Sequence, residues 1–271
     1  LSVIDVSVVI PTFRREKQLV EAVHSALAQE GVSVEVLVLD DSPEGSARQA
    51  VESIGDPRVR YTKQAVPSKG RPAVVRNAGA KQVQGRYVHF LDDDDRVAEG
   101  AYRDVVRTLD ARPDAGVAVG WVVPFGDHPP SLENKRAYFA QSARIGAATP
   151  NRLLAVATIL FQGTLMVNSA CLIRREHIEP LGGFDPDIPL YEDVDFYMRG
   201  IRRFGHVYLS RPVLHYRTGA PSLIHDLQGD MTRVQESYAI IHRKYRERHG
   251  WLEYRLLQAW ARLWPHSNRW T

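Results

Sequence analysis

Short apolar runs alternate with longer amphipathic stretches through the first half of the chain. Val6 to Ile10 is a β-branched run ended by Pro11, the pattern of a strand buried on both faces. Glu16 to Gln29 follows, with Leu19, Val20, Val23, Ala26 and Leu27 at helical spacing. The same reading predicts strands over Val34 to Leu39, Arg58 to Tyr61, Arg86 to Leu91 and Gly116 to Val122. Helices are predicted over Arg71 to Gln84 and Ala98 to Ala111. Alternation of this kind predicts an α/β fold with a Rossmann-like, mostly parallel sheet flanked by helices. Open sheets of this class bind ligands beyond the carboxyl ends of their strands. The polar residues that follow the first, second and fourth strands should therefore gather at one edge.

The second half is less regular. Pro124 to Pro150 is rich in Pro, Gly and polar residues without a clear period, and is expected to form a mobile loop or lid. Structure resumes at Asn151 to Leu160, with a strand near Ser169 to Ile173 and a helix over about Glu192 to Phe204. One or two short strands are expected within Val207 to Tyr216. A C-terminal helical segment then comprises a polar helix, Asp230 to Arg248, and an amphipathic one, Trp251 to Trp264. The last of these carries Trp251, Tyr254, Leu257, Trp260 and Trp264 beside Arg255 and Arg262. Such a stripe could lie on a membrane surface, but more often packs on its own domain or on a second subunit as a homodimer contact.

Composition narrows the classes. Of 271 residues, 44% are hydrophobic and 25% charged, which supports a packed core and argues against disorder. A net charge of +3 is too slight for a nucleic-acid partner, which needs a concentrated basic face. The lone Cys171 excludes an internal disulfide and paired-cysteine zinc patterns. No apolar run approaches the ~20 residues that span a bilayer, and no basic segment precedes an apolar one near the start, as a signal peptide would require. A cytoplasmic protein is expected, with peripheral contact to the inner face of the membrane as a variant of that reading.

Three acidic groups stand out. Asp92 to Asp95 are four adjacent carboxylates at the end of a predicted buried strand; they repel one another unless solvated or holding a cation. Mg²⁺ and Mn²⁺ take oxygen ligands of this kind, with substrate phosphates completing the shell. An isolated run of this sort reads equally well as an acidic turn, and its place at the predicted ligand edge favours a metal. Asp40-Asp41-Ser42 ends the second strand, where a carboxylate could accept the imide N–H of a uracil or thymine ring. A strand-ending Asx turn is the simpler account. Glu192-Asp193-Val-Asp195 opens a helix, where acidic residues favour the dipole without any catalysis, although a general base could also sit there.

Taken in order, Val6-Ser-Val-Val-Ile-Pro-Thr-Phe13, Val38-Leu-Asp-Asp-Ser42, Arg76-Asn-Ala-Gly79, Phe90-Leu-Asp-Asp-Asp-Asp95 and Leu181-Gly-Gly-Phe-Asp185 with Glu192-Asp193 resemble the family 2 glycosyltransferases. The resemblance covers roughly residues 5 to 223. It implies a GT-A fold and an inverting single displacement, in which a sugar moves from a nucleotide-sugar donor with help from Mn²⁺ or Mg²⁺. By the same resemblance, Asp41 would hold the nucleotide base, with Pro11, Thr12 and Arg15 beside it and Arg71 near the nucleotide. Asp92 or Asp93 would lie nearer the ribose, and Asp94, with Asp92, would bind the metal. Asp193 would be the catalytic base, and Glu192 would orient it or the acceptor. Arg217 and Ser222 match positions that reach the diphosphate, but Gly219 stands where many members carry a histidine, leaving His215 or His225 as substitutes in the metal shell.

The implied division is a catalytic unit over residues 1–223, nucleotide-binding to about 122 and acceptor-binding over about 123–223, followed by a helical extension over 224–271. The acceptor is a glycan, a lipid-linked sugar or a small metabolite. A carboxylate facing the base mildly favours UDP- or dTDP-sugars over GDP-sugars. Two rivals remain. A nucleotidyltransferase would carry a Gly-rich phosphate loop after the first strand, whereas Pro11-Thr-Phe-Arg-Arg15 has no glycine. A non-catalytic nucleotide-binding relative would have no need of both Asp94 and Asp193.

Overall fold

The computed structural model describes residues 3–163, 166–219 and 231–263. In chain order the first half comprises β1 (Val6–Thr12), α1 (Glu16–Leu27), β2 (Val34–Asp40), α2 (Arg48–Glu52), β3 (Val59–Lys63), α3 (Pro72–Ala80), β4 (Tyr87–Phe90), β5 (Arg96–Val97) and α4 (Ala101–Ala111). The second half comprises β6 (Val117–Phe125), α5 (Pro129–Ala148), α6 (Arg152–Phe161), β7 (Cys171–Arg174), α7 (Ile178–Leu181), α8 (Glu192–Phe204), β8 (His206–Arg217) and α9 (Thr232–Leu263). The eight strands form one sheet in the order β3-β2-β1-β4-β7-β6-β8-β5.

That sheet is mixed rather than mostly parallel. The β1–β2, β1–β4, β2–β3 and β6–β8 pairs are parallel. The β4–β7, β6–β7 and β5–β8 pairs are antiparallel. The local periodicity of a strand says nothing of its direction relative to its neighbours. Inserting β7 head-to-tail between β4 and β6 reverses the ladder at mid-sheet. It also brings the residues just before β7 to the same edge as the end of β4.

The inner strands β1, β2 and β4 are almost wholly buried because both faces are covered. Val8, Ile10, Val36 and Val38 pack with Leu19, Val23, Tyr102 and Leu109 of α1 and α4. Val9, Leu37 and Leu39 face the other way, into a core shared with α3, α6 and α8. Ile241, Tyr245, Tyr254, Leu257 and Ala261 of α9 belong to that second core. Gly79 permits the close seating of α3, since a Cβ there would lie 2.4 Å from Val9 Cγ1 and 2.8 Å from Leu39 Cδ1.

One further expectation is corrected, and two others hold. Most of Pro124 to Pro150 is the 20-residue helix α5 and not a loop. Pro129 and Pro130 occupy its first turn, where a missing N–H costs nothing, and the His128 side chain accepts from Ser131 N at its cap. Only Phe139, Ile145 and Gly146 of α5 are buried, too narrow a stripe to show as a period. The segment Val207 to Tyr216 lies within a single strand, β8, whose register against β6 slips beside Trp121. The two expected C-terminal helices are present and are labelled together as α9; they meet at Gly250, whose φ of 84° lies outside the helical region. On its last stretch Tyr254, Leu257 and Ala261 face inward, while Trp251, Leu252, Leu256, Trp260 and Leu263 are exposed. Among the described residues no helix is long and apolar enough to cross a membrane.

Candidate active site

Register places the acidic segments together. Thr12 pairs with Asp40 at the ends of β1 and β2, and Val9 pairs with Phe90 at the end of β4. The turn after β4 alternates in burial: Asp93 and Asp95 are buried, while Asp92 and Asp94 are partly open to solvent. Asp93 accepts from the Thr12 hydroxyl at 2.7 Å and from Arg15 at 3.2 Å. Asp95 accepts from the backbone N–H of Arg217 at 3.0 Å. These two carboxylates hold β1, β4 and β8 together. Asp94 accepts from Arg15 at 2.9 Å, and the Arg217 guanidinium donates to the Asp94 carbonyl at 2.8 Å. Pro11 is half-buried within β1.

Asp40 and Asp41 divide two tasks. Asp40 makes the Asx turn, accepting from Ser42 N at 2.9 Å, and its other oxygen accepts from Ala47 N and the Tyr61 hydroxyl. Asp41 instead accepts from Ser68 N at 2.7 Å and the Ser68 hydroxyl at 2.6 Å, drawing the 68–71 loop over the strand ends. Each Asp41 oxygen keeps a second lone pair. Arg71 caps α3 through its own N–H, which donates to the Ser68 hydroxyl, while its residue as a whole is exposed.

Arg76 is the residue that the sequence reading passed over. Buried in α3, it donates to Asp92 at 2.8 Å and forms a tight ion pair with Glu192. One guanidinium thus ties the turn after β4 to the first turn of α8, Arg76 itself lying 116 residues before Glu192. A single arginine among the apolar positions of a helix requires a charged partner when buried, and that was the available signal. Asn168 adds a donor to Asp92 at 3.0 Å, and the Ser169 hydroxyl accepts from Asp92 N at 3.0 Å. Both stand just before β7, at the edge its antiparallel course creates. Asn77 clips α3 to the approach to α8, exchanging hydrogen bonds of 2.8 Å with Phe184 N and O. Gly183 (φ 72°) makes room for that clip, because a Cβ would sit 2.5 Å from Asn77 Oδ1.

At the start of α8, Glu192 is buried and Asp193 half-buried. Asp195 is a framework residue, paired with Arg199 at 2.7 Å and Arg248 at 3.2 Å. Loss of solvent pushes the Glu192 carboxyl up to about 7, opposed by Arg76 and reinforced by Asp193. Burial also raises Asp193, again opposed by Arg76, with the charge of Asp92 adding to the rise. Asp93 is pushed up to about 7, chiefly by burial against the pull of Arg15. Asp94 and Asp95 are raised by burial and by their acidic neighbours. The carboxyl groups of Asp92 to Asp95, Glu192 and Asp193 outnumber the guanidinium groups of Arg15, Arg76 and Arg217, and Arg217 also pairs with Glu21.

Two partly open carboxylates, on Asp92 and Asp94, are oxygen ligands of the kind a hard divalent cation takes. Among the described residues no group of three His, Cys, Asp or Glu side chains could hold such an ion unaided, so the remaining ligands would come from substrate. His215 pairs across the ladder with Arg96, and its ring meets Phe125 edge-on at 6.5 Å. Burial and Arg96 hold its pKa down. The structure does not bring it into an acidic group. Ser222 and His225 lie outside the described residues.

A mixed α/β sheet with an acidic turn after β4, linked by Arg76 to a second acidic pair, defines a GT-A-like architecture. The model of "Glycosyl transferase family 2" matches residues 7–182, and the chain belongs to that family. It is 39% identical over 107 residues to the succinoglycan biosynthesis protein ExoO of Rhizobium meliloti (strain 1021), which covers 40% of this chain and 30% of ExoO. It is 34% identical over 97 residues to the GalNAc(5)-diNAcBac-PP-undecaprenol beta-1,3-glucosyltransferase of Campylobacter jejuni subsp. jejuni serotype O:2, covering 35% of this chain and 31% of that protein. Less than a third of either relative is thus spanned. The fold is similar to that of residues 1–349 of S. aureus TarS, at a TM-score of 0.64 and 17% identity, over 90% of this chain and 66% of the other. The same TarS fragment in complex with UDP-GlcNAc gives a TM-score of 0.63 at 18% identity, over 88% of this chain and 66% of that one.

Proposed function

We propose that this chain transfers a sugar from a nucleoside diphosphate sugar, UDP- or dTDP-linked, to an acceptor hydroxyl with inversion at the anomeric carbon. The observation that carries the reading is the Arg76 bridge, which sets Asp92 and the Glu192–Asp193 pair on one guanidinium. Asp41, with Pro11, Thr12, Arg15 and Arg71 around the same strand ends, is the seat for the nucleotide. Asp92 and Asp93 lie towards the ribose. Asp92 and Asp94 would hold Mn²⁺ or Mg²⁺, which when bound neutralises the charge gathering on the departing diphosphate. Arg217 and Ser222 complete the diphosphate side.

Asp193 is the general base. The acceptor oxygen bonds to the anomeric carbon as the carbon–oxygen bond to the diphosphate breaks, and the acceptor proton passes to the Asp193 carboxylate. Burial suits this role, since a carboxyl with a raised pKa is a stronger base than an exposed one. Glu192, locked to Arg76, fixes the first turn of α8 in place. Family membership and the likeness to a fold known with UDP-GlcNAc support the reading.

The experiment is a panel of UDP-, dTDP- and GDP-sugars with Mn²⁺, scored for release of nucleoside diphosphate. Release from a UDP- or dTDP-sugar is the expected result. Pyrophosphate release from a nucleoside triphosphate, with no release from any sugar nucleotide, would point to nucleotidyl transfer and overturn the proposal.

A further inference from the structure

Beside Asp193 stands an aromatic pair that the proposed chemistry leaves unused. Tyr191, the residue before Glu192, holds a left-handed backbone conformation with φ 61° and ψ 26°. For a bulky side chain this conformation is strained and persists only where the surroundings impose it. Its ring lies 5.2 Å from that of Tyr238 on α9, the planes inclined at 38°. Both residues are half-buried, and neither hydroxyl has a hydrogen-bond partner among the described residues. Tyr191 packs against the core shared with α3, α6 and α8, yet neither phenol of the pair is tied up by a protein partner among the described residues, as buried tyrosine hydroxyls ordinarily are.

The pair is also held with care. Ser237, fully buried next to Tyr238, accepts from Leu190 N at 3.0 Å, next to Tyr191. Lys244 pairs with Asp185 at 2.6 Å and Arg248 with Asp195 at 3.2 Å, fastening α9 to α8 and the segment before it. Both rings are within electrostatic reach of the Asp193 carboxylate, and Tyr238 is also within reach of Tyr138 on α5. Tyr191, two residues before the proposed base, and Tyr238 on α9 thus bring two phenol rings together near the start of α8.

We infer that Tyr191 and Tyr238 form the acceptor subsite and that the acceptor presents a pyranose ring there, as the end of a glycan does. A pyranose offers a flat face of C–H bonds to an aromatic ring and hydroxyls at its rim for the phenol groups. An open-chain alditol phosphate offers no such face. The inference rests on the glycosyl-transfer reading and names the substrate class on its acceptor side.

The test uses the full chain and three probes, p-nitrophenyl β-D-glucopyranoside, β-D-galactopyranoside and N-acetyl-β-D-glucosaminide, with D-ribitol 5-phosphate as the open-chain comparison. Binding is followed by saturation-transfer NMR, and UDP affinity with Mn²⁺ is measured alongside. At least one pyranoside should bind the wild type, and D-ribitol 5-phosphate should not displace it. Tyr238→Ala should weaken pyranoside binding about tenfold while shifting UDP affinity less than about twofold. Tyr238→Phe, which keeps the ring, should lose no more than about threefold. Pyranoside binding that survives Tyr238→Ala, absence of any pyranoside binding beside normal UDP binding, or equal competition by D-ribitol 5-phosphate would each overturn the inference. Failure of UDP to bind the wild type would strike the glycosyl-transfer reading instead.

Discussion

The strand-end side of the site and the α8–α9 side are built on opposite plans. At the ends of β1, β2 and β4, nearly every polar group is already engaged: Asp40 and Asp41 with loop amides, Asp93 with Thr12 and Arg15, Asp95 with the backbone of β8. Only Asp92 and Asp94 turn partly outward. On the other side, the Tyr191 and Tyr238 hydroxyls have no partner among the described residues, and order comes from Ser237, Lys244 and Arg248 behind them. The first plan suits a ligand whose charge and shape do not vary, such as a nucleotide diphosphate. The second suits a partner recognised through a flat face, where a change of one side chain changes the partner. Arg76 is the joint between the two plans.

The contrast can be broken at several places. Asp193→Asn should lower the transfer rate about 10³-fold, the scale of a lost general base, with nucleotide affinity nearly unchanged. Steady-state kinetics beside calorimetric UDP titration will show it, and retained full activity would remove Asp193 from the base position. Arg76→Met strands Asp92 and the buried Glu192 without their cation, and should cost about 3 kcal/mol of folding stability in urea titrations. Loss of under about 1 kcal/mol would mean that the joint is dispensable. Asp94→Asn, or chelation with EDTA in the wild type, should weaken nucleotide binding about tenfold, whereas Tyr238→Ala should not.

The pH profile sharpens the same division. Burial raises the Asp193 pKa, and only the ionised carboxylate can take a proton. Transfer should therefore fall as pH drops through a value above the ordinary 3.8, giving an acid limb in kcat/KM that Asp193→Asn abolishes. An acid limb at or below the ordinary aspartate value would argue against a buried base. The smallest effect is expected behind the tyrosines. Ser237→Ala removes the hydrogen bond to Leu190 N and should cost about 1 kcal/mol of stability. Pyranoside binding should weaken with it, and nucleotide binding should not.

Legibility in the sequence follows the same line. Asp41 and Asp92 to Asp95 could be located because a buried strand and the turn that ends it are contiguous, and parallel pairing aligns such turns. The direction of β7 could not, because its apolar alternation is the same for either orientation, and with it went Asn168 and Ser169. The α5 helix was hidden by prolines that cap it and by a buried stripe of three residues. Tyr238 reads as one more residue of a polar helix until Ser237 is seen to reach Leu190, 47 residues earlier. Arg76 was quoted within a motif but its partners lie 16 and 116 residues away.

That shared guanidinium also constrains how the molecule can change. Neutralising Glu192 leaves the buried Arg76 to Asp92 alone, and neutralising Asp92 shifts the full pull of Arg76 onto α8. Substitution at either end is therefore felt at the other, so variation in what the chain recognises is channelled to side chains that Arg76 does not touch, the two tyrosines first among them.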